Sequence, residues 1–238
     1  MATIRELSDG LTKLIEDAAA STVEVRGRRR PSTGIVWSAD QVVTASHTVH
    51  RDENIVVALH TGEERSAGIV GRDPATDLLL LKVTGGGLTP ATWADPQTVK
   101  VGALVFPVGR RGTHTRAALG IVADRGPAWQ TGDGATVDAW VDVDGTLPPG
   151  FSGGPLLDAD GRVVGLNTSA LTPRGAVLPR ATVERIVARL EQFGTAAPGY
   201  LGAGFYPGAL PDDLAAVATQ REALMTVSLE PGGPSALA

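Results

Sequence analysis

The sequence contains no cysteine among its 238 residues. Disulfide bonds, thiol nucleophiles and cysteine-ligated zinc are therefore excluded, and the fold must be held together by packing alone. Aromatic residues are also scarce, with four Trp, four Phe and two Tyr, so the core has to be built from Val, Leu, Ile and Ala. Aliphatic cores of this kind, accompanied by 30 Gly and 16 Pro, are typical of short strands and tight turns.

Long apolar runs and a strong charge of either sign are missing as well. No segment approaches the roughly 20 apolar residues that a membrane-spanning helix requires, so no membrane span is predicted. The net charge of −5 is mild and argues against a nucleic-acid binder, which normally carries a basic face. No apolar signal core follows the first residues. We therefore expect a cytoplasmic protein from the sequence as it stands, and a periplasmic or extracytoplasmic one if a signal peptide has been removed.

Hydrophobic periodicity predicts one helix followed by many strands. Residues 3–19 combine a capping-box pattern, Thr3 with Glu6, with apolar residues at helical spacing. This N-terminal helix is expected to pack on the following domain or on another subunit. From Ser21 the period changes to two, which indicates an all-β sandwich or barrel. The predicted strands are 22–25, 34–37, 41–44, 55–59, 67–70, 78–83, 103–108, 117–122, 137–143, 153–157, 163–167 and 175–178.

A stretch with few strand formers, residues 84–100, separates two β-rich halves of similar size. A second helix is predicted over Thr182 to Phe193, with Gly194 as its stop. The last 40 residues or so are near the lower limit for an independent fold. The predicted organisation is an N-terminal helix (1–20), two barrels (about 21–100 and 101–180) with a following helix (181–194), and a linker with a short C-terminal segment (195–238).

Three short motifs carry residue types suited to nucleophilic catalysis. The first is Gly150-Phe151-Ser152-Gly153-Gly154, a serine among glycines. Because glycine permits unusual backbone angles, the N–H groups of Gly150 and Ser152 are able to point at one developing oxyanion. A glycine-rich hairpin turn is the alternative for this motif taken alone.

The second motif places a histidine directly after an apolar strand, in Val42-Val43-Thr44-Ala45-Ser46-His47. Small neighbours allow the imidazole to reach the rim of a barrel. Imidazole side chains in general exchange protons near neutral pH and are natural bases for a serine hydroxyl. An ordinary, partly buried histidine is the alternative. His50 lacks an acidic or cysteine partner, so no metal site is predicted.

The third motif, Asp73 to Asp77, precedes a run of four leucines. The leucines draw Asp77 into a partly buried place, where its carboxylate needs a partner, and an imidazole N–H is a suitable one. A turn at the entry of the strand explains Asp73 well but Asp77 less well. We therefore predict a catalytic triad of His47, Asp77 and Ser152, which requires neither a metal nor an organic cofactor.

The order His, Asp, Ser is that of chymotrypsin and differs from the orders in subtilisin and the α/β-hydrolases. In detail, the chain resembles the HtrA (DegP/DegQ-like) family of trypsin-like serine proteases. The resemblance implies a mainly β fold, a trypsin-like double barrel over residues 21–194. It also implies a cofactor-free serine endopeptidase that cleaves unfolded or damaged proteins. The residues that carry the resemblance are 43–49, 71–82, 150–156, 161–168 and the Leu178–Pro179 step.

The resemblance further implies where a substrate side chain binds. In trypsin-like enzymes the residue six before the nucleophile floors the primary pocket, and here that residue is Thr146. Gly175, Ala176 and Val177 are expected to form the walls. All four are uncharged, which predicts a preference for small to medium apolar residues before the cut, with modest discrimination among them.

The C-terminal segment resembles the start of the PDZ domain of the same family. Tyr200, Leu201, Gly202 and Ala203 match its carboxylate-binding loop, where backbone N–H groups capture a peptide C-terminus. The later strands and the helix of that domain have no counterpart in the sequence. We therefore expect an incomplete PDZ-like tail and do not predict peptide capture by it.

Three departures from the family pattern bear on function. Phe151 stands where the family usually has Asn, beside the peptide that points the Gly150 N–H into the oxyanion hole. Two alternatives follow: a protease whose resting site is latent, or a non-catalytic peptide-binding or chaperone module. The connection Gly27 to Ser32 is short, whereas some relatives carry a long regulatory loop there. The N-terminal helix lacks the aromatic residues through which relatives often form trimers, so we expect a homo-oligomer without assigning its size.

Overall fold

The computed structural model describes residues 3–27, 31–95, 99–194, 203–229 and 235. The chain forms two compact units, residues 1–196 and residues 197–238. None of the helices in these described ranges has the length and apolar character needed to cross a bilayer.

The N-terminal helix α1 spans Ile4–Asp17 and is followed by a 3₁₀ turn, Ala18–Ser21. The expected capping box is present, since the Glu6 N–H donates to the Thr3 hydroxyl at 3.2 Å and the Thr3 N–H donates to the Glu6 carboxylate at 2.6 Å. The Thr3 N–H and the Thr3 hydroxyl both donate to the Glu6 carboxylate and lower its pKa. The second half of the helix packs on the larger unit, as expected, whereas Ile4 near its start is exposed. The homo-oligomer stays a prediction.

The first β-rich half is a closed, antiparallel, six-stranded barrel in the order β1-β2-β3-β6-β5-β4, with β4 paired back to β1. The expected strands are all present here. Their bounds are β1 (Thr22–Arg26), β2 (Ser32–Ser38), β3 (Gln41–Ala45), β4 (Ile55–Ala58), β5 (Glu64–Asp73) and β6 (Leu78–Val83).

The four leucines of β6 serve two cores. Leu79 and Leu81 pack with valines of β1 to β4 inside the barrel. Leu78 and Leu80 point the other way and join residues of the second half and of the helix that follows it. Successive strand residues face opposite sides, so a strand buried on both faces reads as an unbroken apolar run.

The second half is a seven-stranded, barrel-like sheet in the order β12-β9-β7-β13-β14-β15, with β8 paired to β7; β10 and β11 form a separate pair. The mainly β, two-barrel fold class is therefore confirmed. The strands are β7 (Leu104–Arg111), β8 (His114–Ala117), β9 (Gly120–Gly126), β10 (Trp129–Gln130), β11 (Thr136–Val137), β12 (Trp140–Val143), β13 (Pro155–Leu157), β14 (Val163–Thr168) and β15 (Ala176–Pro179).

Three of the strand predictions in this half were wrong, two because the strand is divided and one because it begins later. The strand predicted over 117–122 is two strands, because β8 pairs with the end of β7 and β9 pairs with its beginning. The strand predicted over 137–143 is also divided, into β11 and β12. The strand predicted from residue 153 begins at Pro155, because Gly153 has a left-handed backbone (φ 83°) and lies in a turn.

Helix α2 spans Arg180–Phe193, and Gly194 ends it as predicted, with φ 70° and its N–H donating to the Leu190 carbonyl at 2.9 Å. The helix begins two residues earlier than expected, directly after Pro179. Val183, Ile186, Val187 and Leu190 form its buried face, which packs against β5, β6, β14 and β15.

In its described residues, the smaller unit contains a two-stranded antiparallel sheet and one helix: β16 (Ala203–Ala209), α3 (Asp212–Ala218) and β17 (Glu222–Leu229). Of the expected carboxylate-binding loop, Tyr200, Leu201 and Gly202 lie outside the described residues, and Ala203 opens β16. A PDZ domain is not shown, and the PDZ-like assignment of this segment stays a prediction.

Arg110 on β7 is a buried cation that ties the second half of the larger unit to β1 and the turn before it. Its guanidinium donates to the Thr22 carbonyl at 2.6 Å and to the Ala19 carbonyl at 3.1 Å, and only 2% of the residue is exposed. Burial lowers the pKa of the guanidinium, and the charge of Glu24 partly opposes that shift. Backbone carbonyls of β1 and of the turn before it therefore accept hydrogen bonds from this side chain, and the Ala19 carbonyl also accepts one from the Thr22 N–H.

We expect Arg110→Met to lower the free energy of unfolding by about 2–4 kcal/mol, because the protein loses several buried hydrogen bonds that a charged group donates. Arg111→Met is the matched control, since the neighbouring Arg111 is exposed. Urea unfolding followed by tryptophan fluorescence measures both variants. Equal midpoints for the two would contradict the role given to Arg110.

Candidate active site

His47 lies in a 3₁₀ turn, Ser46–Thr48, directly after β3. The turn is held from outside, because the Ser46 N–H donates to the Asp77 carbonyl at 2.9 Å, and the Arg72 guanidinium donates to the carbonyls of Ser46 and Val49 at 3.2 and 2.8 Å. The imidazole is about one-third exposed, at 32%. It therefore sits at the rim of the first barrel on a fixed backbone, as the sequence predicted.

Asp77 is the residue before β6 and is almost fully buried, at 3% exposure. Its backbone is left-handed, with φ 60°, a conformation that Asp tolerates better than most residues. One carboxylate oxygen accepts from the His47 backbone N–H at 2.7 Å and the other lies 2.7 Å from His47 Nδ1. An ionised carboxylate only accepts, so the proton belongs on Nδ1, which leaves Nε2 as the acceptor.

Asp73 has a different task from Asp77. Its carboxylate accepts from the Thr76 hydroxyl at 2.6 Å and from the Ala75 N–H at 3.3 Å. These contacts build the turn at the entry to β6, which is the alternative that the sequence favoured for Asp73. The turn positions Asp77.

Ser152 lies between β12 and β13, with 5% of the residue exposed. Its carbonyl accepts from the Thr33 N–H of the first barrel at 3.3 Å, and the N–H of Gly153 donates to the Asn167 carbonyl of the second at 2.7 Å. Gly153 has φ 83°, and a β-carbon there would clash with the Thr33 carbonyl oxygen and the Thr44 hydroxyl. Ser152 is therefore clamped between the two barrels, since its carbonyl is bound by the first barrel and the N–H of the next residue by the second. That next residue, Gly153, has to be glycine.

The backbone before Ser152 is held by its carbonyls. The Gly150 carbonyl accepts from the Thr33 hydroxyl at 2.8 Å, and the Pro149 carbonyl accepts from the Arg116 guanidinium at 2.9 Å. Within the described ranges, the N–H groups of Gly150 and Ser152 donate to no acceptor. These are the two donors that the sequence assigned to an oxyanion hole.

Phe151, the departure from the family pattern, is packed away from solvent. Only 2% of the residue is exposed, and its ring packs against Gly109. The Arg116 guanidinium carbon lies 4.9 Å from the ring centroid, a cation–π distance. The same arginine therefore holds both the ring and the Pro149 carbonyl.

Two hydroxyls at the end of β14 contact all three predicted triad residues. The Thr168 hydroxyl donates to the Asp77 carboxylate. Ser169 Oγ lies 3.0 Å from Ser152 Oγ and 3.4 Å from His47 Nε2, and the Ser169 N–H donates to Ser152 Oγ at 3.2 Å. No direct hydrogen bond joins Ser152 Oγ to His47 Nε2. Neither residue was predicted from the sequence: Thr168 lies inside a motif of the resemblance, but nothing in the sequence pairs it with Asp77.

The four residues predicted for the substrate pocket line one cavity of about 110 Å³, near Asn167 and Leu147. The cavity also has charged residues that the sequence did not reveal, Asp142, Asp144 and Arg174. Arg174 Nη2 lies 3.6 Å from Asp142 Oδ2. Arg174 and Asp142 are 32 residues apart along the chain, and no local pattern connects them.

In the described parts of the chain, no three His, Asp or Glu side chains are grouped closely enough to hold a metal ion. His50 Nε2 lies 2.9 Å from the His47 carbonyl oxygen and so belongs to the turn that carries His47.

Comparison with known proteins agrees with this architecture. The family model described as "Trypsin-like peptidase domain" matches residues 32–166. A "Probable periplasmic serine endoprotease DegP-like" of Brucella suis biovar 1 is 32% identical over 228 residues, which are 89% of this chain and 43% of that protein. The chain belongs to the HtrA family of trypsin-like serine proteases. A DegP-like relative from Chlamydia pneumoniae is 30% identical over 183 residues, 74% of this chain and 37% of the relative.

Solved HtrA-type structures share the fold. Deg5 superposes with a TM-score of 0.70 at 28% identity, covering 80% of this chain and 98% of Deg5. The serine endoprotease from Yersinia pestis gives 0.69 at 24% identity, covering 95% and 77%. The chain spans less than half the length of the curated HtrA relatives described above, 37–43%.

We expect Gly153→Ala to destabilise the protein by at least about 2 kcal/mol more than Gly145→Ala. Both glycines have positive φ and share the cost of a left-handed alanine, about 1–2 kcal/mol. Only at Gly153 does the new methyl group meet backbone and hydroxyl atoms, whereas the space beside Gly145 is open.

Urea unfolding of the two variants measures the difference. Equal losses would show that Ser152 is not clamped between the barrels.

Proposed function

We propose that the chain is a serine endopeptidase that hydrolyses unfolded or damaged polypeptides by acyl transfer. Ser152 is the nucleophile, His47 the general base and acid, and Asp77 the carboxylate that orients the imidazole. The observation that carries the proposal is the bidentate contact of Asp77 with one histidine, at 2.7 Å from each carboxylate oxygen. This contact leaves Nε2 as the nitrogen of that histidine that is able to accept a proton.

In the first half of the reaction, Ser152 Oγ forms a bond to the scissile carbonyl carbon while its proton passes to His47 Nε2. The N–H groups of Gly150 and Ser152 stabilise the negative charge on the carbonyl oxygen. His47 then gives the proton to the leaving amine as the C–N bond breaks. In the second half, water takes the place of the amine and releases the acid product, regenerating Ser152.

The position of Phe151 supports catalysis over the alternative of a non-catalytic peptide-binding or chaperone module. The ring is buried against Gly109, and the Arg116 guanidinium lies 4.9 Å from its centroid. Both N–H groups remain without an acceptor in the described residues, as a working oxyanion hole requires. Phe151, the sequence feature that favoured the binding module, is therefore compatible with the enzyme.

A fluorophosphonate probe tests the proposed activity. We expect the wild-type protein to be labelled and Ser152→Ala to remain unlabelled. Asp77→Asn should slow labelling by a factor of about 10³–10⁴, because the wrong tautomer of the histidine is then favoured. Asparagine also tolerates the left-handed backbone, so the fold is kept. Asp9→Asn is the control, an exposed aspartate on α1 that takes no part in the site, and it is predicted to leave the labelling rate unchanged.

A folded wild-type protein that is not labelled, even with unfolded protein present, would support the binding module. Labelling that persists in Ser152→Ala would place the reactive hydroxyl elsewhere and refute the assigned nucleophile.

The proposed specificity is for small to medium apolar residues before the cut, because Thr146, Gly175, Ala176 and Val177 surround a small cavity. We expect Thr146→Asp to shift cleavage of a peptide library towards Lys and Arg by at least about ten-fold in kcat/KM, since a hydrogen bond to a charged group contributes ~1.5–3 kcal/mol. Thr146→Val is the neutral control. Each of these two substitutions is also combined with Arg174→Gln, because Arg174 lines the same cavity and would neutralise a new carboxylate. An unchanged preference in both backgrounds would show that Thr146 does not floor the pocket.

A further inference from the structure

Ser169 is the first residue after β14, and its contacts involve the nucleophile and the base at once. Its N–H donates to Ser152 Oγ at 3.2 Å, and its own hydroxyl lies 3.0 Å from that oxygen. The same hydroxyl lies 3.4 Å from His47 Nε2. Ser152 is thus hydrogen bonded to Ser169 and not to the histidine.

This arrangement opposes nucleophilic attack in two ways. Attack requires the Ser152 proton to lie on a hydrogen bond to His47 Nε2, and in the structure Ser169 interrupts that line. Attack also uses a lone pair of Oγ, and the Ser169 N–H occupies one of the two lone pairs and so lowers the nucleophilicity of that oxygen. With these contacts Ser152 is not activated for attack, so the site is in a resting state.

We propose that Ser169 is a positioning residue that holds Ser152 away from His47 in the free enzyme and releases it when an extended peptide binds. The inference rests on the proposed function, because it concerns the same nucleophile and base.

The loop that begins at Ser169 connects this contact to the substrate pocket. Ser169 is exposed, whereas the loop ends at Gly175, which lines the cavity. Thr172 closes the loop on itself, since its hydroxyl donates to the Gly175 carbonyl at 2.7 Å and its carbonyl accepts from the Gly175 N–H at 3.0 Å. A side chain that enters the cavity meets one end of this short loop, and Ser169 lies at the other end.

A relay is the opposing mechanism for the same contacts. In a relay, Ser152 gives its proton to Ser169 Oγ while Ser169 gives its own proton to His47 Nε2. The two mechanisms predict opposite changes in the reaction rate of Ser152 when the Ser169 hydroxyl is removed. A relay becomes slower because the group that passes on the proton is lost, whereas a restrained serine becomes faster because the restraint is removed.

The test is the rate of labelling by diisopropyl fluorophosphate, a small probe that does not need an extended substrate. We expect Ser169→Ala to react between about two-fold and about ten-fold faster than wild type, the range for one neutral hydrogen bond. Ser169→Thr retains the hydroxyl and should react at the wild-type rate. Ser66→Ala, an exposed serine on β5, is the control for an unrelated hydroxyl and should also leave the rate unchanged.

With a peptide substrate, Ser169→Ala should lower KM and leave kcat nearly unchanged, because bound peptide has already displaced the restraint. A merely structural role would instead lower the labelling rate and the urea midpoint together. Ser169→Gly also removes the hydroxyl and is measured beside Ser169→Ala, so that a folding defect in one variant does not decide the result.

A labelling rate of Ser169→Ala equal to or below that of wild type overturns the proposal, and a large decrease would indicate the relay. A wild-type protein that is not labelled at all would instead refute the protease assignment, so the two failures are distinguishable.

Discussion

The structure depends on one buried charge, the carboxylate of Asp77. A carboxylate removed from water must be paired and hydrogen bonded, or the fold loses several kcal/mol. Asp77 meets this requirement with two donors from His47 of the first barrel and one from Thr168 of the second. The same contacts that satisfy the charge also orient the imidazole and bring the two barrels together at the site.

Thr33 performs a matching task on the side of the nucleophile. Its N–H and hydroxyl bind the carbonyls of Ser152 and Gly150, at 3.3 and 2.8 Å, and its hydroxyl accepts from the Arg110 N–H at 2.9 Å. A fully buried residue of the first barrel thus shapes the loop of the second that carries the serine. The site is therefore a property of the contact between barrels, and neither barrel contains it alone.

The proposed resting state follows from the place where β14 ends. The Thr168 hydroxyl donates to Asp77. The next residue, Ser169, contacts Ser152 and His47. Successive residues at a strand end lie close together but face different ways. One strand terminus thereby reaches three side chains that come from distant parts of the chain.

Local features of the fold were predictable because their causes are local. The capping box of α1, the glycine stop of α2 and the doubly buried leucines of β6 all follow from neighbouring residues. The divided strand at residues 117–122 was not predictable, since its two parts pair with opposite ends of β7 and only the sheet separates them.

The residue types of the candidate site, their order along the chain and the glycines that allow the backbone around Ser152 can all be read from the sequence. Tertiary structure alone decided which groups meet: Thr168 with Asp77, Ser169 between Ser152 and His47, and Arg174 with Asp142 at the cavity. The physical reason is that a hydrogen bond acts over about 3 Å. Its partners are chosen by how two barrels pack, and the spacing of residues along the chain does not record that packing.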